Sequence, residues 1–469
     1  MTATEFSGGL VAFETNQGVE IRGSVLRMTR HVVAFELYLP SAVLRTSEVL
    51  NNFRIVVDNQ PVYSGQAVVR NLVNAGLTLV CEVSLNESGL DAVIISAHEA
   101  NGDPNTQFQN FLQRWERNYK VRPEFKAIVT DLQTLLTDLR LWLDEMEVGI
   151  RALPDGNRAD VARTMLSNVG GQMVEAIDAL HERFEEIVAD VETELHPAHQ
   201  SLAQRQLRSL FLCSPFGYRA YSKPLGYAGD YEMVNMITRD PFEGSTLFAK
   251  VMNLWLLEQW PSKAHRNRIV YLHERLVEET ARTVRQGRPC RILNLGCGPA
   301  REIQQFLENA LSDHAEFILW DFNDETLNHA AAVLGDLRTR SGRNTRITVQ
   351  KKSVQRLLRE ATKPGQDEKF DFIYCAGLFD YLPDRVCKEL CNMFYEWLAA
   401  DGLVLTTNVV DCKPFRHMLE FVLDWHLIYR DRKQSVALLP DSPSPLDVRF
   451  RSDDTGVNLF IEARKPRHA

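Results

Sequence analysis

The stretch Arg291-Ile-Leu-Asn294-Leu-Gly296-Cys-Gly298-Pro-Ala300-Arg301-Glu302 carries the most legible chemistry in the chain. Strand-forming residues run into two glycines spaced by one, then into a helix opened by Pro299, a turn that brings backbone close to a nucleotide-like ligand. A dinucleotide fingerprint wants a third glycine or alanine three positions after Gly298, where Arg301 stands, and no Gly-Lys-Ser/Thr phosphate loop is present. A carboxylate follows at Asp321, 23 residues beyond Gly298. That spacing of about one helix and one strand puts it at the carboxyl end of the neighbouring parallel strand, where it accepts both hydroxyls of an adenosine ribose. A cap for the helix after it is the structural alternative. The strand Phe370–Cys375 ends in a small-residue turn, Cys375-Ala376-Gly377, that faces the same crevice.

The Gly296-x-Gly298-x-Ala300 pattern resembles motif I of the class I S-adenosylmethionine-dependent methyltransferases. The resemblance implies S-adenosylmethionine as cofactor, with the glycine turn beneath its methionine part. Asn294 stands where the family usually has an acid, so an amide replaces a carboxylate there. Asp321, with Phe322 beside it, is assigned to the ribose, and Ser353 and Val354, after the strand Arg346–Lys351, to the adenine. Cys375, Ala376 and Gly377 line the crevice, and Arg268, in preference to Arg266, faces the cofactor carboxylate. The hairpin Val448–Arg451 with Val457–Ala463 distinguishes this sheet from an all-parallel dinucleotide fold. Residues 263–469 are therefore expected to form an α/β methyltransferase domain, mostly parallel with a C-terminal antiparallel hairpin.

Other elements must position that site. Residues 1–100 alternate apolar and polar residues over Leu10–Thr15, Gly18–Met28, Val32–Tyr38, Phe53–Val57, Gln60–Asn71 and Leu77–Val83, the pattern of a small antiparallel β-barrel. Its Gly23-x-Val25 strand, Arg-rich turn and Tyr63-x-Gly65-x-Ala67-x-Val69 resemble a PilZ-type barrel. The Arg27-Met-Thr-Arg30 spacing departs from that family's cyclic di-GMP motif, which implies a scaffold more than a sensor. Residues 105–200 read as a helical hairpin. Leu132, Leu136, Leu139, Leu143, Met146, Ile150 and Leu153 form one heptad seam, Pro154-Asp-Gly-Asn157 breaks it, and Met173 to Val191 form a second that ends near Pro197. The seam either buries one helix on the other or serves a homodimer.

Residues 201–262 form the lid or connector. Phe211–Gly244 crowds aromatics, glycines and prolines without helix or strand periodicity, as ligand clamps do. Tyr227, Asp230 and Tyr231 are its candidates for ligand contact. After the fifth strand of the sheet, Cys412–Arg432 reads as a helix bearing Trp425, His426 and Tyr429, where the resemblance places acceptor-binding elements. Candidate catalytic groups are Tyr227, Asp230, Tyr381 and His426.

The segment Pro224-Leu-Gly-Tyr-Ala-Gly-Asp-Tyr231, joined to this core and barrel, resembles proteins grouped with bacterial synthases of the quorum signal 3-hydroxypalmitate methyl ester. That implies O-methylation of a fatty acyl carboxylate, with Arg219, Tyr221, Lys223 or Tyr227 as donors to it. Another small molecule, a protein side chain, or a non-catalytic cofactor-sensing module are the alternatives.

Composition bounds the partners. At 469 residues, 45% apolar and 25% charged, the chain reads as a multidomain globular protein, and its net charge of −9 argues against a general nucleic-acid binder. No apolar run approaches a bilayer span and Met1–Gly23 lacks a signal-peptide pattern, so a cytoplasmic location with a small-molecule acceptor is expected. The eight cysteines are scattered, and His196 and His199 have no Cys or spaced carboxylates beside them, so no metal is expected.

Overall fold

The computed structural model describes residues 9–15, 20–29, 31–38, 44–57, 60–74, 78–85, 109, 121–360, 369–412, 414–441 and 447–467. The sequence expectations at Gly18, Arg30, Leu77 and the helix onset at Asn105 lie outside them. Strands β1 (Leu10–Glu14), β2 (Glu20–Met28), β3 (Val32–Tyr38), β4 (Val49–Val57), β5 (Gln60–Asn74) and β6 (Thr78–Leu85) close into a barrel of order β1-β2-β3-β6-β5-β4. Alternation points Phe13, Phe35 and Phe53 inward, where their ring centroids lie 5.6 to 5.8 Å apart.

A helical layer follows. Helices α1 (Pro123–Arg151) and α2 (Asp155–Ala189) form the expected antiparallel pair. The break between them is shorter than expected. Pro154 is the N-cap and Asp155 begins α2, whose positive end accepts the carboxylate, so Asp155-Gly-Asn157 is helical. Pro197 likewise opens a helix instead of ending one: α3 spans His196–Phe211, with the proline in its first turn, where a missing N–H costs nothing. The seam residues Leu132, Leu136 and Leu143 are buried, while Met146 is exposed. They share one core with Phe184, Trp255 and Phe421, so the hairpin is sheathed by further helices on its apolar side.

Phe211–Gly244 also differs from expectation. It holds helices α4 (Pro215–Ser222) and α5 (Tyr231–Thr238), with residues 212–214, 223–230 and 239–244 irregular between and beyond them. Ser214 and Asp230 cap the two helices, accepting from Gly217 N and from Glu232 N and Met233 N. Two turns of helix are too short to display a 3.6-residue period, which is why the sequence pattern conceals them. Helices α6 (Leu247–Glu258) and α7 (Trp260–Val284) then lead to the sheet.

The sheet comprises β7 (Cys290–Leu295), β8 (Ala315–Asp321), β9 (Arg346–Lys351), β10 (Phe370–Cys375), β11 (Leu398–Val409), β12 (Asp447–Ser452) and β13 (Asn458–Arg464), in the order β12-β13-β11-β10-β7-β8-β9. Pairing is parallel from β11 through β9, and β13 is antiparallel to both β11 and β12. This is the class I methyltransferase fold, with β7 and β10 adjacent and the strand order reversing there. Between its strands lie α8 (Arg301–Phe306), α9 (Asp324–Arg340), α10 (Val354–Glu360) and α11 (Asp384–Trp397).

After β11 the expected helix over Cys412–Arg432 is mostly absent. Only α12 (Arg416–Phe421) forms; Asp424 adopts a left-handed φ of 54°, and Trp425, His426 and Tyr429 lie on irregular backbone beyond it. Trp255, fully buried, anchors the helical layer: its Nε1 donates to Asp178 at 2.8 Å and its ring meets His181, Phe211 and Phe415. We expect Trp255→Ala to destabilise this layer by about 3–5 kcal/mol, read as a lowered denaturant midpoint of the helical signal, with an unchanged midpoint refuting this anchor.

Candidate active site

The glycine turn is held from outside. Gly296 N and Cys297 N donate to Trp320 O at 2.8 and 3.2 Å, tying the turn to the end of β8. Gly296 and Gly298 take φ of 74° and 51°, and Ala300 follows at 53°. A Cβ built on Gly298 meets no atom within 4 Å, so the turn faces open space. Asp321 sits across from it, buried, accepting from Gly298 N at 3.3 Å and Asn323 N at 3.1 Å. Burial raises its pKa, and the two backbone N–H groups partly offset this. The cap of α9 is Asn323, which accepts from Thr326 N, so Asp321 is left to the cavity.

One cavity runs over this turn. Asn294, Gly296, Gly298, Ala300, Asp321, Phe322, Val354, Ala376, Gly377, Arg268, Tyr227, Tyr231 and Tyr381 all line it. The Tyr227 ring lies 5.1 Å from that of Phe322. Tyr231 reaches past the cavity to give its hydroxyl to Glu325. Four expected site residues face elsewhere. Cys375 is buried in the core beneath the sheet. Ser353 accepts from Arg356 N, a helix-start role that occupies its hydroxyl. Asp230 caps α5 and pairs with Arg219 at 2.9 Å. His426 contacts Asp424 through Nε2 at 3.2 Å. Of the expected carboxylate donors only Tyr227 lines this cavity: Arg219 serves Asp230, Tyr221 lies 4.3 Å beneath Arg208, and Lys223 Nζ points at the Tyr221 and Leu423 carbonyls.

Three lining groups escape sequence reasoning. Glu302 brings back the acid that Asn294 lacks, accepting from Asn294 Nδ2 at 3.3 Å and from the Tyr374 hydroxyl at 2.7 Å. Burial raises the Glu302 pKa. Its position in the first turn of α8, eight residues after Asn294, is a signal a reader could weigh. His265, three residues before Arg268 on α7, lies with Nδ1 2.9 Å from Arg268 Nη2. Burial, then the Arg268 charge, hold its imidazole neutral, well below its ordinary pKa. Arg45 comes from the barrel, and nothing in its sequence context announces it.

Arg268 itself is enclosed, and burial lowers its pKa. Among the described residues no carboxylate lies within ion-pair distance of it. A cation on the cavity wall without such a partner offers its guanidinium donors to an anionic group. Arg266 instead donates to the Leu257 carbonyl at 2.9 Å.

A second cavity opens from the first and shares Gly229, Val234, His265, Arg268, Gly377 and Tyr381 with it. Its remaining walls are mostly apolar, among them Met233, Leu256, Phe415, Leu419, Trp425 and Leu427. Tyr381 stands at the junction, its hydroxyl accepting from Trp425 Nε1 at 3.1 Å. Away from both cavities, His199 bridges the Leu195 carbonyl and Arg122 N, and His196 contacts the Val191 carbonyl.

Residues 292–402 match the family described as "Methyltransferase domain". No curated protein sequence matches the chain. Among solved structures it is similar to a possible exported protein from Bordetella parapertussis, at 20% identity over 64% of this chain and 96% of that one, TM-score 0.44. It is also similar to magnesium protoporphyrin IX methyltransferase from Synechocystis PCC 6803 with bound S-adenosylhomocysteine, at 10% identity over 57% and 99%, TM-score 0.34. The N-methyltransferase NodS from Bradyrhizobium japonicum WM9, in complex with S-adenosylhomocysteine, is similar at 15% identity over 50% and 98%, TM-score 0.30. The matched segment is a methyltransferase domain, and its cofactor is S-adenosylmethionine.

Two substitutions check the cavity map by calorimetry with S-adenosylhomocysteine. Asp321→Ala should weaken binding about tenfold or more, the value of hydrogen bonds to a buried charged group. Gly298→Ala should cost only about 1 kcal/mol of fold stability through its left-handed φ, yet abolish measurable binding because its methyl enters the cavity. Wild-type affinity in either variant would contradict the map.

Proposed function

We propose that the chain transfers a methyl group from S-adenosylmethionine to the carboxylate of a 3-hydroxy fatty acid. The observation that carries this reading is the apolar second cavity meeting the first at Arg268 and Tyr381. A cofactor sensor needs no chamber there, whereas an enzyme needs one for its acceptor. The residues fit the cofactor: open space over Gly298, a buried Asp321 for ribose hydroxyls, and an Arg268 cation for a carboxylate. S-adenosylmethionine, when bound, supplies an electrophilic methyl carbon, which joins the acceptor oxygen as the carbon–sulfur bond breaks.

The chain's own contribution is alignment and exclusion of water. Trp425, Leu427 and Leu419 hold an alkyl body in the chamber, and the Tyr381 hydroxyl, positioned by Trp425, donates to the acceptor carboxylate. Such an acceptor is already ionised, so no general base is required. A second reading rests on His265, a neutral imidazole lining both cavities. With a hydroxyl acceptor it would take the proton as the new bond forms.

The test is incubation with methyl-labelled S-adenosylmethionine and 3-hydroxy acids of increasing chain length. Labelled ester formation should rise with chain length, and Leu427→Trp should raise KM for the longer acids severalfold by filling the chamber. Absence of labelled ester while S-adenosylhomocysteine binds would reject the acceptor. The pH profile separates the two readings. A carboxylate acceptor gives kcat/KM flat from about pH 6 to 9, whereas catalysis by a neutral His265 gives a rate lost as pH falls through the imidazole pKa, itself depressed by burial.

A further inference from the structure

The barrel reaches into the cavity. The loop between β3 and β4 places Arg45 and Thr46 on its lining, more than two hundred residues from the methyltransferase sheet in sequence. The loop is fixed by backbone contacts on both sides. Thr46 N donates to Tyr381 O at 3.1 Å, Val49 N to Gly226 O at 2.9 Å, and Ser47 Oγ to His426 O at 2.8 Å, while Ser47 N holds to Val69 O in the barrel itself. Ser47 adopts a left-handed φ of 59°, a conformation a non-glycine residue holds only where its surroundings determine it.

Arg45 is 5% exposed. Its guanidinium carbon lies 4.2 Å over the centre of the Phe322 ring, on the Asp321 side of the cavity. Among the described residues its side chain has neither a hydrogen bond nor an ion pair, while its backbone N and carbonyl both meet Glu48. Its guanidinium thus lies against an aromatic face on the cavity lining, where its five donors are available to the acceptors of a ligand. Asp321 feels this charge, which offsets part of the burial that raises its pKa. A barrel needed only as a scaffold has no use for a buried, unpartnered arginine at that place.

We propose that Arg45 is a cofactor-binding residue, so that the N-terminal barrel completes the adenosine half of the cofactor site and closes it. This rests on the methyltransferase reading above. Arg45 stacks Phe322 from the barrel side and presents its free edge to the adenosine, through hydrogen bonds and cation–π attraction to the base. Thr46 and Ser47 hold it there. The barrel is then neither a detached sensor nor a passive support: the cofactor is bound between two domains.

Calorimetric titration of the full-length chain with adenosine and with S-adenosylhomocysteine tests this. Arg45→Ala should weaken both ligands by the same factor, about tenfold, because the lost contact belongs to their shared half. Arg45→Lys, which keeps the charge but not the planar fork, should recover only part of that loss. A merely structural role would lower the ligand-free melting temperature and leave the affinity of the folded fraction alone. Unchanged affinity for both ligands in Arg45→Ala would overturn the assignment, as would a loss confined to the KM of the acceptor. Should Arg45→Ala fail to fold, wild-type affinity in Arg45→Lys overturns it equally. A wild-type chain that binds no S-adenosylhomocysteine would instead refute the methyltransferase reading, which keeps the two failures apart.

Discussion

The short run Phe379–Leu382, just after β10, is where the molecule is tied together. Its backbone polar groups are satisfied by three separate parts of the chain, as burial requires. Arg430, almost fully buried, donates to the carbonyls of Phe379 and Leu382 and to Asn408 Oδ1, and pairs with Asp384. Val409 N donates to the Asp380 carboxylate and Ile428 N to the Asp380 carbonyl. The barrel contributes Thr46, which meets the carbonyls of Asp380 and Tyr381. Sheet, insertion and barrel therefore converge on the segment that carries Tyr381 to the junction of the two cavities. Burial raises the Asp380 pKa, while Val409 N and the nearby Arg268 and Arg430 charges oppose that rise.

How far this could be read from sequence depended on whether the determinant was local. The glycine turn, the interval to Asp321 and the strand Phe370–Cys375 follow from strand and helix lengths, and the structure brings the turn, Asp321 and, at the strand's end, Tyr374, Ala376 and Gly377 to one cavity lining, with Cys375 in the core. The barrel strands were visible through period-2 alternation and the long helices through their seam. Eight-residue helices were not, because Ser214 and Asp230 capping looks like loop chemistry when only polar and small residues are seen.

Residues whose roles depend on tertiary proximity were the ones missed. Asp230 looked like a ligand contact because it sits between Gly229 and Tyr231, yet Arg219 and the α5 backbone use up its lone pairs. His426 looked like a base on a helix, yet α12 ends at Phe421, before the left-handed Asp424, and the His426 main chain is spent on Ser47. Glu302 and His265 gained meaning only when Asn294 and Arg268 were seen beside them.

The Ser47–His426 contact joins positions 379 residues apart. The barrel strands pair among near neighbours in sequence, so that unit has all its partners as soon as its own residues exist. Its loop finds Tyr381 and His426 only after most of the chain has been made, and contacts of such separation carry the largest loop-closure cost. During synthesis the sheet strands β7 to β10 emerge before the strands β11 and β13 that flank them, and the docking surface is the last to be assembled. A ribosome-bound chain thus carries the complete barrel sequence before Tyr381 and His426 exist for its loop to meet, and the cavity wall they fix is completed late.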